Sequence, residues 1–195
     1  VSRSIGRKSK ARKIAVRPRH FSLFGPRELK LKGPPNFRNA VMAATVARAL
    51  GVPRKTIVTA TRTFQGLEHR LEFVKKIGGV SFYNDSASTN PHTAAAAVKA
   101  FAGEPNILGA GGQDKGLDYA PLARALKNSS TKVVVLFGEN KGKIRKSIAQ
   151  AKVSIKTAAS LGEAVRTAYK WARSYAPASV VFSPGAASFD MFENY

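Results

Sequence analysis

Cysteine is absent from the 195-residue sequence, and acidic residues are scarce. Without cysteine the chain can form neither a disulfide framework nor a thiolate metal site, which agrees with a protein of the cytoplasm. No apolar run approaches the roughly 20 residues that a membrane-spanning helix needs. The hydrophobic share of 44% and the aromatic share of 9% are typical of folded domains. We therefore expect a globular cytoplasmic protein with no membrane span.

The shortage of acids leaves the chain strongly basic, with 33 Lys and Arg against 11 Asp and Glu and a net charge of +22. Such a balance suits binding to nucleic acid or another polyanion. Proteins that bind single-stranded nucleic acid interleave aromatic residues with basic ones, but residues 1–20 contain no Phe, Tyr or Trp. We interpret these residues as an extended basic arm. A nucleic-acid-binding module stays as a distant alternative.

The first part of the chain is predicted to be largely helical. Residues 27–33 could form a strand, a helix is expected over 36–51, and Pro53 opens a second helix. The predicted apolar stripes consist of Met42, Val46, Ala49 and Leu50 on the first helix and of Ile57, Ala60, Thr61 and Phe64 on the second. The periodicity changes after "QGLEHR", so we place a domain boundary between residues 66 and 67.

The second part alternates strands with helices. Two strands joined by Gly78-Gly79 form a predicted hairpin, and Asn90 can cap the helix that begins at Pro91. Further strands are predicted at 106–111, 132–138, 152–156 and 179–183, with helices at 119–128, 143–151 and 160–175. The pattern predicts an α/β fold with a Rossmann-like, mostly parallel sheet that is covered by helices on both faces.

Four loops rich in small or polar residues follow the predicted parallel strands. Ligands of such folds gather beyond the carboxyl ends of the strands, so we expect a binding site at this edge. Lys115, flanked by glycines, is placed to pair with a carboxylate or phosphate, and Arg70 could bind a phosphate from the domain junction. The loops are "NDSASTN" (84–90), "GAGGQDKG" (109–116), "GENKG" (138–142) and "SPGAASFD" (183–190).

Two familiar kinds of site are not supported by the sequence. Residues 138–147 depart from the phosphate-binding pattern G-x-x-x-x-G-K-[ST], because Gly138 and Gly142 are one residue too close and Ile144 follows Lys143. There is no H-E-x-x-H sequence and no histidine cluster. Hydrolase and nucleotide P-loop chemistry are therefore not expected within these residues.

Five motifs together resemble the Mur ligases of peptidoglycan synthesis, over about residues 27–195. They are "GLEHRLEFV", "GVSFYNDSASTN", "GAGGQDKGLDYAPL", "VVVLFG" and "SPGAASFDMFENY", and "GPPNFRNAVMAA" resembles an asparagine-rich segment of the same family. The nearest members are those that add D-glutamate to UDP-N-acetylmuramoyl-L-alanine through an acyl phosphate. The resemblance implies that residues 1–66 hold the arm and the end of the central ATPase domain, and that 67–195 hold most of the amino-acid-binding domain. Such a fragment would be inactive alone.

The resemblance also implies roles for individual residues. The ATP-binding positions are Asn36, Asn39, Arg70, Asp85 and Thr89, and the D-glutamate positions are Lys115, Ser188, Phe189 and Tyr195. No catalytic residue is assigned to this segment. Mg²⁺ is implied as well, with its ligands upstream, and the whole enzyme is expected to be a monomer that acts on small molecules.

Three positions depart from the family. Pro35 stands where a histidine is usual, Ala87 stands where many members have a lysine near the phosphates, and Ala186 replaces a common cysteine. A sister enzyme that adds another amino acid, or that adds glutamate to folate, stays as the near alternative.

Overall fold

A computed structural model describes residues 21–192, together with Ile14, Val16 and Pro18. Most of the predicted basic arm, and Tyr195, lie outside the described residues. No helix in the described part is long and apolar enough to cross a membrane. The helices are α1 (Pro34–Ala49), α2 (Arg54–Thr63), α3 (Pro91–Ala100), α4 (Ala120–Lys127), α5 (Lys141–Ile148) and α6 (Leu161–Arg173); the strands are β1 (Glu72–Ile77), β2 (Val80–Asn84), β3 (Asn106–Gly111), β4 (Thr131–Phe137), β5 (Ser154–Thr157) and β6 (Ala178–Phe182).

The six strands form one sheet in the order β1-β2-β6-β3-β4-β5. The β1–β2 hairpin is antiparallel and turns at Gly78-Gly79, with Ile77 paired to Val80. Every other pairing in the sheet is parallel. The predicted hairpin and the mostly parallel sheet are confirmed.

Apolar side chains cover both faces of the sheet. Helices α3, α4 and α5 pack on one face against residues such as Leu108 and Val134. Helix α6 packs on the other face through Ala164, Ala168 and Ala172. Successive side chains point to opposite faces of the sheet, and because both faces are covered, β3 is buried along its whole length and β4 along nearly all of it.

Local capping residues fix where the helices begin. Asn90 Oδ1 accepts the backbone N–H of His92 at 3.0 Å and of Thr93 at 3.1 Å. Ser160 Oγ accepts the N–H of Glu163 at 3.2 Å. The carboxylate of Glu163 accepts the N–H of Ala159 at 2.7 Å, so the first turn of α6 is held from both sides.

The predicted strand at 27–33 is wrong. The structure has a 3₁₀ turn at Pro26–Glu28, followed by irregular chain that bends and has no strand partner. The side chain of Leu29 packs on the helical cluster around Phe24, and Leu31 lines a cavity beside α2. Leu29 and Leu31 alternate with polar residues as in a strand, but they contact the helical part of the chain and no neighbouring strand.

The predicted apolar stripe of α1 is also wrong. Met42, Val46 and Leu50 are 56%, 59% and 78% exposed. The covered face carries Val41 and Ala44, which pack with Leu23, Phe24 and Ile57. Apolar residues occur around the whole helix, so their spacing did not reveal which side is covered. On α2 the structure buries Ile57, whereas Phe64 is 47% exposed.

The helical part joins the sheet through Lys32 and Gly33. Lys32 Nζ lies 2.5 Å from a carboxylate oxygen of Glu104 and about 5 Å from the ring centroids of Tyr83 and Phe101. Gly33, at φ +90°, packs so closely on Ala100 that a Cβ would lie 2.5 Å from the alanine methyl. A cation enclosed by aromatic rings and a close backbone contact therefore fasten the two parts.

Candidate functional site

The four small-residue loops lie together at the carboxyl edge of the parallel strands. Because β6 lies between β2 and β3, the loop that follows it reaches both neighbouring loops. Gly185 donates its N–H to the Ser88 carbonyl at 2.7 Å, and Gln113 donates to the Ala187 carbonyl at 2.8 Å. On the far side, the N–H of Glu139 is bound by Asp190 Oδ2 at 2.9 Å. The predicted clustering of these loops is confirmed by these contacts.

Glycine is required where two of the loops meet. Gly112 has φ +151°, and a Cβ there would lie 2.3 Å from the carbonyl oxygen of Ala187. Gly111 has φ +139°, and its Cβ would lie 1.9 Å from the carbonyl oxygen of Phe137. The backbone of this loop can approach its neighbours only without side chains.

Asp85 is nearly buried and connects the hairpin to β6. Its Oδ1 accepts the N–H of Leu71 at 3.1 Å, and its Oδ2 accepts the hydroxyl of Ser183 at 2.6 Å. Burial raises the pKa of the Asp85 carboxyl, although its hydrogen bonds and the charge of Arg70 act in the opposite direction. The buried Ser88 hydroxyl lies close to this carboxylate, and its interaction with the carboxylate also acts to lower the pKa of Asp85.

Arg70 lies in a turn that is fixed to the Asp85 loop on both sides. His69 and Leu71 have φ of 63° and 47°, and such values are unusual for residues other than glycine. The His69 carbonyl accepts the N–H of Ala87 at 3.1 Å, and Leu71 donates to Asp85. The exposed Arg70 side chain forms no ion pair with a carboxylate of the described residues.

Three of the predicted ATP positions line one cavity of about 480 Å³ between the helical part and the domain junction. Asn36, Asn39 and Arg70 line it together with Thr61 of α2 and Phe64, the residue that follows α2. Asn36 Nδ2 also donates to the Lys32 carbonyl at 2.8 Å. Asp85 and Thr89 lie instead at the sheet edge, where Thr89 is exposed. The five predicted ATP positions therefore fall into two groups, joined by the turn that holds Arg70.

The predicted amino-acid positions lie on two adjacent loops. Lys115 is exposed, with Nζ 5.1 Å from the ring centroid of Phe189. Ser188 is half-buried and accepts the N–H groups of Met191 and Phe192 through its carbonyl. The structure brings Lys115, Ser188 and Phe189 together, whereas Tyr195 lies outside the described residues.

Asn140 and Tyr119 belong to the same loop cluster, and sequence reasoning missed both. Asn140 is 1% exposed, and its Oδ1 accepts the N–H of Gly112 at 3.0 Å. Its Nδ2 donates to Tyr119 Oη at 2.6 Å, and that hydroxyl donates to the Gly185 carbonyl at 3.3 Å. Burial raises the pKa of Tyr119 to about 12. The asparagine in "GENKG" is visible in the sequence, but nothing there marks its side chain as buried.

The three departures from the family fit locally. Pro35 lies in the first turn of α1, where a missing N–H breaks no helical hydrogen bond. Ala186 is 2% exposed in a packed loop. Ala87 is half-buried and places no charge beside the Asp85 loop.

A family match covers the site. Residues 69–185 match the family described as "Mur ligase, glutamate ligase domain". The chain belongs to the Mur ligase family. Two relatives named UDP-N-acetylmuramoylalanine–D-glutamate ligase are each 40% identical over 89% of this chain, one from Nitrosospira multiformis and one from Aquifex aeolicus. The chain spans 36% and 41% of their lengths.

Two solved structures share the fold of this chain. MurF from Acinetobacter baumannii gives a TM-score of 0.63 at 23% identity, over 85% of this chain and 37% of that chain. Folylpolyglutamate synthase from Thermotoga maritima gives a TM-score of 0.55 at 22% identity, over 80% and 37%. At these identities the likeness extends to the fold alone.

Magnesium, which the Mur ligase resemblance implies, finds no cluster of protein ligands among the described residues. They contain no group of three His, Cys, Asp or Glu side chains that could hold a metal ion. Asp85, the buried carboxylate of the site, is already bound by Leu71 and Ser183. The described part of this Mur ligase chain therefore does not fit the role of metal ligand.

Proposed function

We propose that the chain is the amino-acid-binding portion of an ATP-dependent ligase that joins D-glutamate to UDP-N-acetylmuramoyl-L-alanine in cytoplasmic peptidoglycan synthesis. The observation that carries the proposal is the pairing of two adjacent loops, one with Lys115 and one with Ser188. The 40% identity to relatives of that name supports it. Its substrates would be small molecules.

The proposed reaction has two steps. The substrate carboxylate attacks the γ-phosphorus of ATP, which gives an acyl phosphate and ADP. The amine of D-glutamate then attacks the acyl carbon, so that an amide forms, phosphate leaves and the amine loses a proton. Because negative charge develops on the transferring phosphoryl group, cationic side chains near it lower the barrier.

Lys115 and Ser188 are proposed to hold D-glutamate during the second step. An exposed ammonium group without an ion-pair partner in the described part of the chain can bind a carboxylate through a charge-assisted hydrogen bond. The neighbouring hydroxyl of Ser188 can donate to the same substrate. The Phe189 ring beside the Lys115 ammonium limits the directions from which a ligand can approach it.

Asn36, Asn39 and Arg70 are proposed to contact the nucleotide from the cavity at the junction. The guanidinium of Arg70 is planar and offers several N–H donors to phosphate oxygens. Asp85 and Thr89 would contact it from the sheet edge. Asp85 would also hold the Arg70 turn through its bond to Leu71.

The test joins residues 27–195 of this chain to the preceding portion of the Nitrosospira multiformis relative. We expect the chimera to release phosphate from ATP when UDP-N-acetylmuramoyl-L-alanine and D-glutamate are both present. L-Glutamate, L-lysine and folate with L-glutamate serve as competing substrates. A chimera that prefers any of these over D-glutamate would contradict the proposal.

A further inference from the structure

The buried amide of Asn140 lies in the loop between β4 and α5, outside the motifs that carry the family resemblance. Its side chain is 1% exposed, and asparagine is rarely buried to this degree unless its polar atoms are paired. A buried amide that loses its hydrogen bonds costs a few kcal/mol. The backbone groups that pair with the Asn140 amide are therefore held in the positions that keep those bonds.

Asn140 binds Gly112 from two directions. Its backbone N–H donates to the Gly112 carbonyl at 3.0 Å, and its Oδ1 accepts the Gly112 N–H at 3.0 Å. The pair of bonds resembles the exchange between paired strand residues, with a side chain in place of one backbone group. Gly112 is therefore fixed where the loop bearing Lys115 leaves β3.

The same amide extends these contacts to the loop that bears Ser188. Gln113, next to the fixed glycine, donates to the Ala187 carbonyl, directly before Ser188. The Asn140 Nδ2 group binds Tyr119 Oη at 2.6 Å, and Tyr119 Oη binds the Gly185 carbonyl at 3.3 Å. Both loops are thus held to one side chain by bonds that are buried.

We propose that Asn140 is a positioning residue, which sets the distance between Lys115 and Ser188 and so determines affinity for the amino-acid substrate. This inference rests on the proposed function for its choice of substrate. Asn140 need not touch the ligand. It holds the Lys115 loop at Gly112 and Gln113. It reaches the Ser188 loop through Tyr119, whose hydroxyl binds the Gly185 carbonyl.

Two substitutions, Asn140→Ala and Tyr119→Phe, distinguish the contacts of Asn140 with the Lys115 loop from its contact with the Ser188 loop. The alanine variant loses the side-chain bonds to the Gly112 N–H, to Tyr119 Oη and to the Gln113 carbonyl, the last at 3.4 Å, and keeps the backbone bond to Gly112. The phenylalanine variant loses only the hydroxyl that joins Asn140 to Gly185. We expect the KM for D-glutamate to rise about tenfold in the first and less in the second, with the KM for ATP within about twofold.

Asn106 offers a matched control. It is a buried amide, 2% exposed, that donates to the Phe101 and Glu104 carbonyls and accepts from Thr131. It lies at the start of β3, at the opposite edge of the sheet. Asn106→Ala should lower the melting temperature by a similar amount and leave the KM for D-glutamate unchanged.

Two measurements decide the outcome. In the 195-residue chain, hydrogen exchange of the Gly112 and Gln113 amides should accelerate in Asn140→Ala and stay slow in Asn106→Ala. In the chimera, the rise in KM should be confined to D-glutamate. Equal exchange in both variants, or an equal rise in KM in both, would overturn the role of Asn140. If the unmodified chimera uses another amino acid, the proposed substrate is wrong, and the exchange measurement still decides whether Asn140 holds the loop.

Discussion

Replacing Asp85 separates the hydrogen bonds of its side chain from its charge. Asp85→Asn keeps an oxygen for the Leu71 N–H and offers an N–H to the Ser183 hydroxyl, which can accept as well as donate. Asp85→Ala leaves both groups without their partner. Ser183 is fully buried, so water cannot replace the lost bond there, whereas Leu71 is half-buried.

The expected difference between the two variants follows from those contacts. A buried group that loses its hydrogen-bond partner costs about 1–3 kcal/mol. Asp85→Ala affects one fully buried and one half-buried group. Its free energy of unfolding should therefore be about 2–4 kcal/mol lower than that of Asp85→Asn. For a urea slope of about 2 kcal/mol/M, the midpoints should differ by about 1–2 M.

The negative charge of Asp85 destabilises the fold, whereas its hydrogen bonds stabilise it, and the effect of the charge depends on pH. Because burial raises the pKa of Asp85 in the folded state, the folded chain binds more protons than the unfolded chain between the two pKa values. The stability from this protonation is present below the unfolded pKa and lost as pH rises through the folded pKa. Asparagine stays neutral, so its stability relative to the wild type should grow from acid to neutral pH.

Urea unfolding of the 195-residue chain can be followed by the fluorescence of Trp171, its single tryptophan. Measurements at neutral pH and near pH 4 give both effects. Equal midpoints for the alanine and asparagine variants would refute the idea that Asp85 fastens the hairpin loop to β6. An asparagine variant whose relative stability falls as pH rises would refute the sign of the charge effect.

Three further predictions concern the site and its glycines. In the chimera, Lys115→Ala should raise the KM for D-glutamate about tenfold or more, because a charge-assisted hydrogen bond contributes about 1.5–3 kcal/mol; the KM for ATP and the control Lys127→Ala should show no such change, and equal losses for both substrates would contradict the assignment. Arg70→Ala should change the melting temperature little, since the side chain is exposed, and should lower turnover sharply, with partial rescue by lysine; a large loss of stability with normal turnover would make the residue structural. Gly111→Ala should destabilise the chain by about 3 kcal/mol or more, because a Cβ would lie 1.9 Å from a backbone oxygen of the neighbouring strand. The control is Gly51→Ala, at φ +82° with open space around it, which should lower the free energy of unfolding by about 1 kcal/mol. If urea unfolding gives equal losses for Gly111→Ala and Gly51→Ala, the positive φ alone accounts for both, and the close contact at Gly111 adds nothing.

Features with local causes were predictable from the sequence. The hairpin followed from Gly78-Gly79, the start of α3 from Asn90 and Pro91, and the sheet from strand–helix alternation. Each depends on residues close together in the chain, so no knowledge of distant partners was needed. The common edge of the four loops followed from the parallel direction of their strands.

The errors and omissions depend on distant partners. Whether Met42 or Val41 faces a neighbouring element is decided by Leu23, Phe24 and Ile57, which the spacing within α1 cannot indicate. Asn140 binds Gly112, 28 residues away in the chain, and nothing in "GENKG" distinguishes a buried amide from an exposed one. The role of side chains that join loops is therefore visible only once the sheet order is known.

The central position of β6 has a consequence for synthesis of the chain. Among the described residues, β2 joins the β3–β4–β5 portion of the sheet only through β6, which pairs with β3 as well. A ribosome that has not yet released residues 178–182 therefore presents the β1–β2 hairpin and the β3–β4–β5 portion as separate pieces. Premature termination before residue 178 would leave the edges of β2 and β3 exposed, because β6 pairs with both. Exposed strand edges are templates for pairing with other chains.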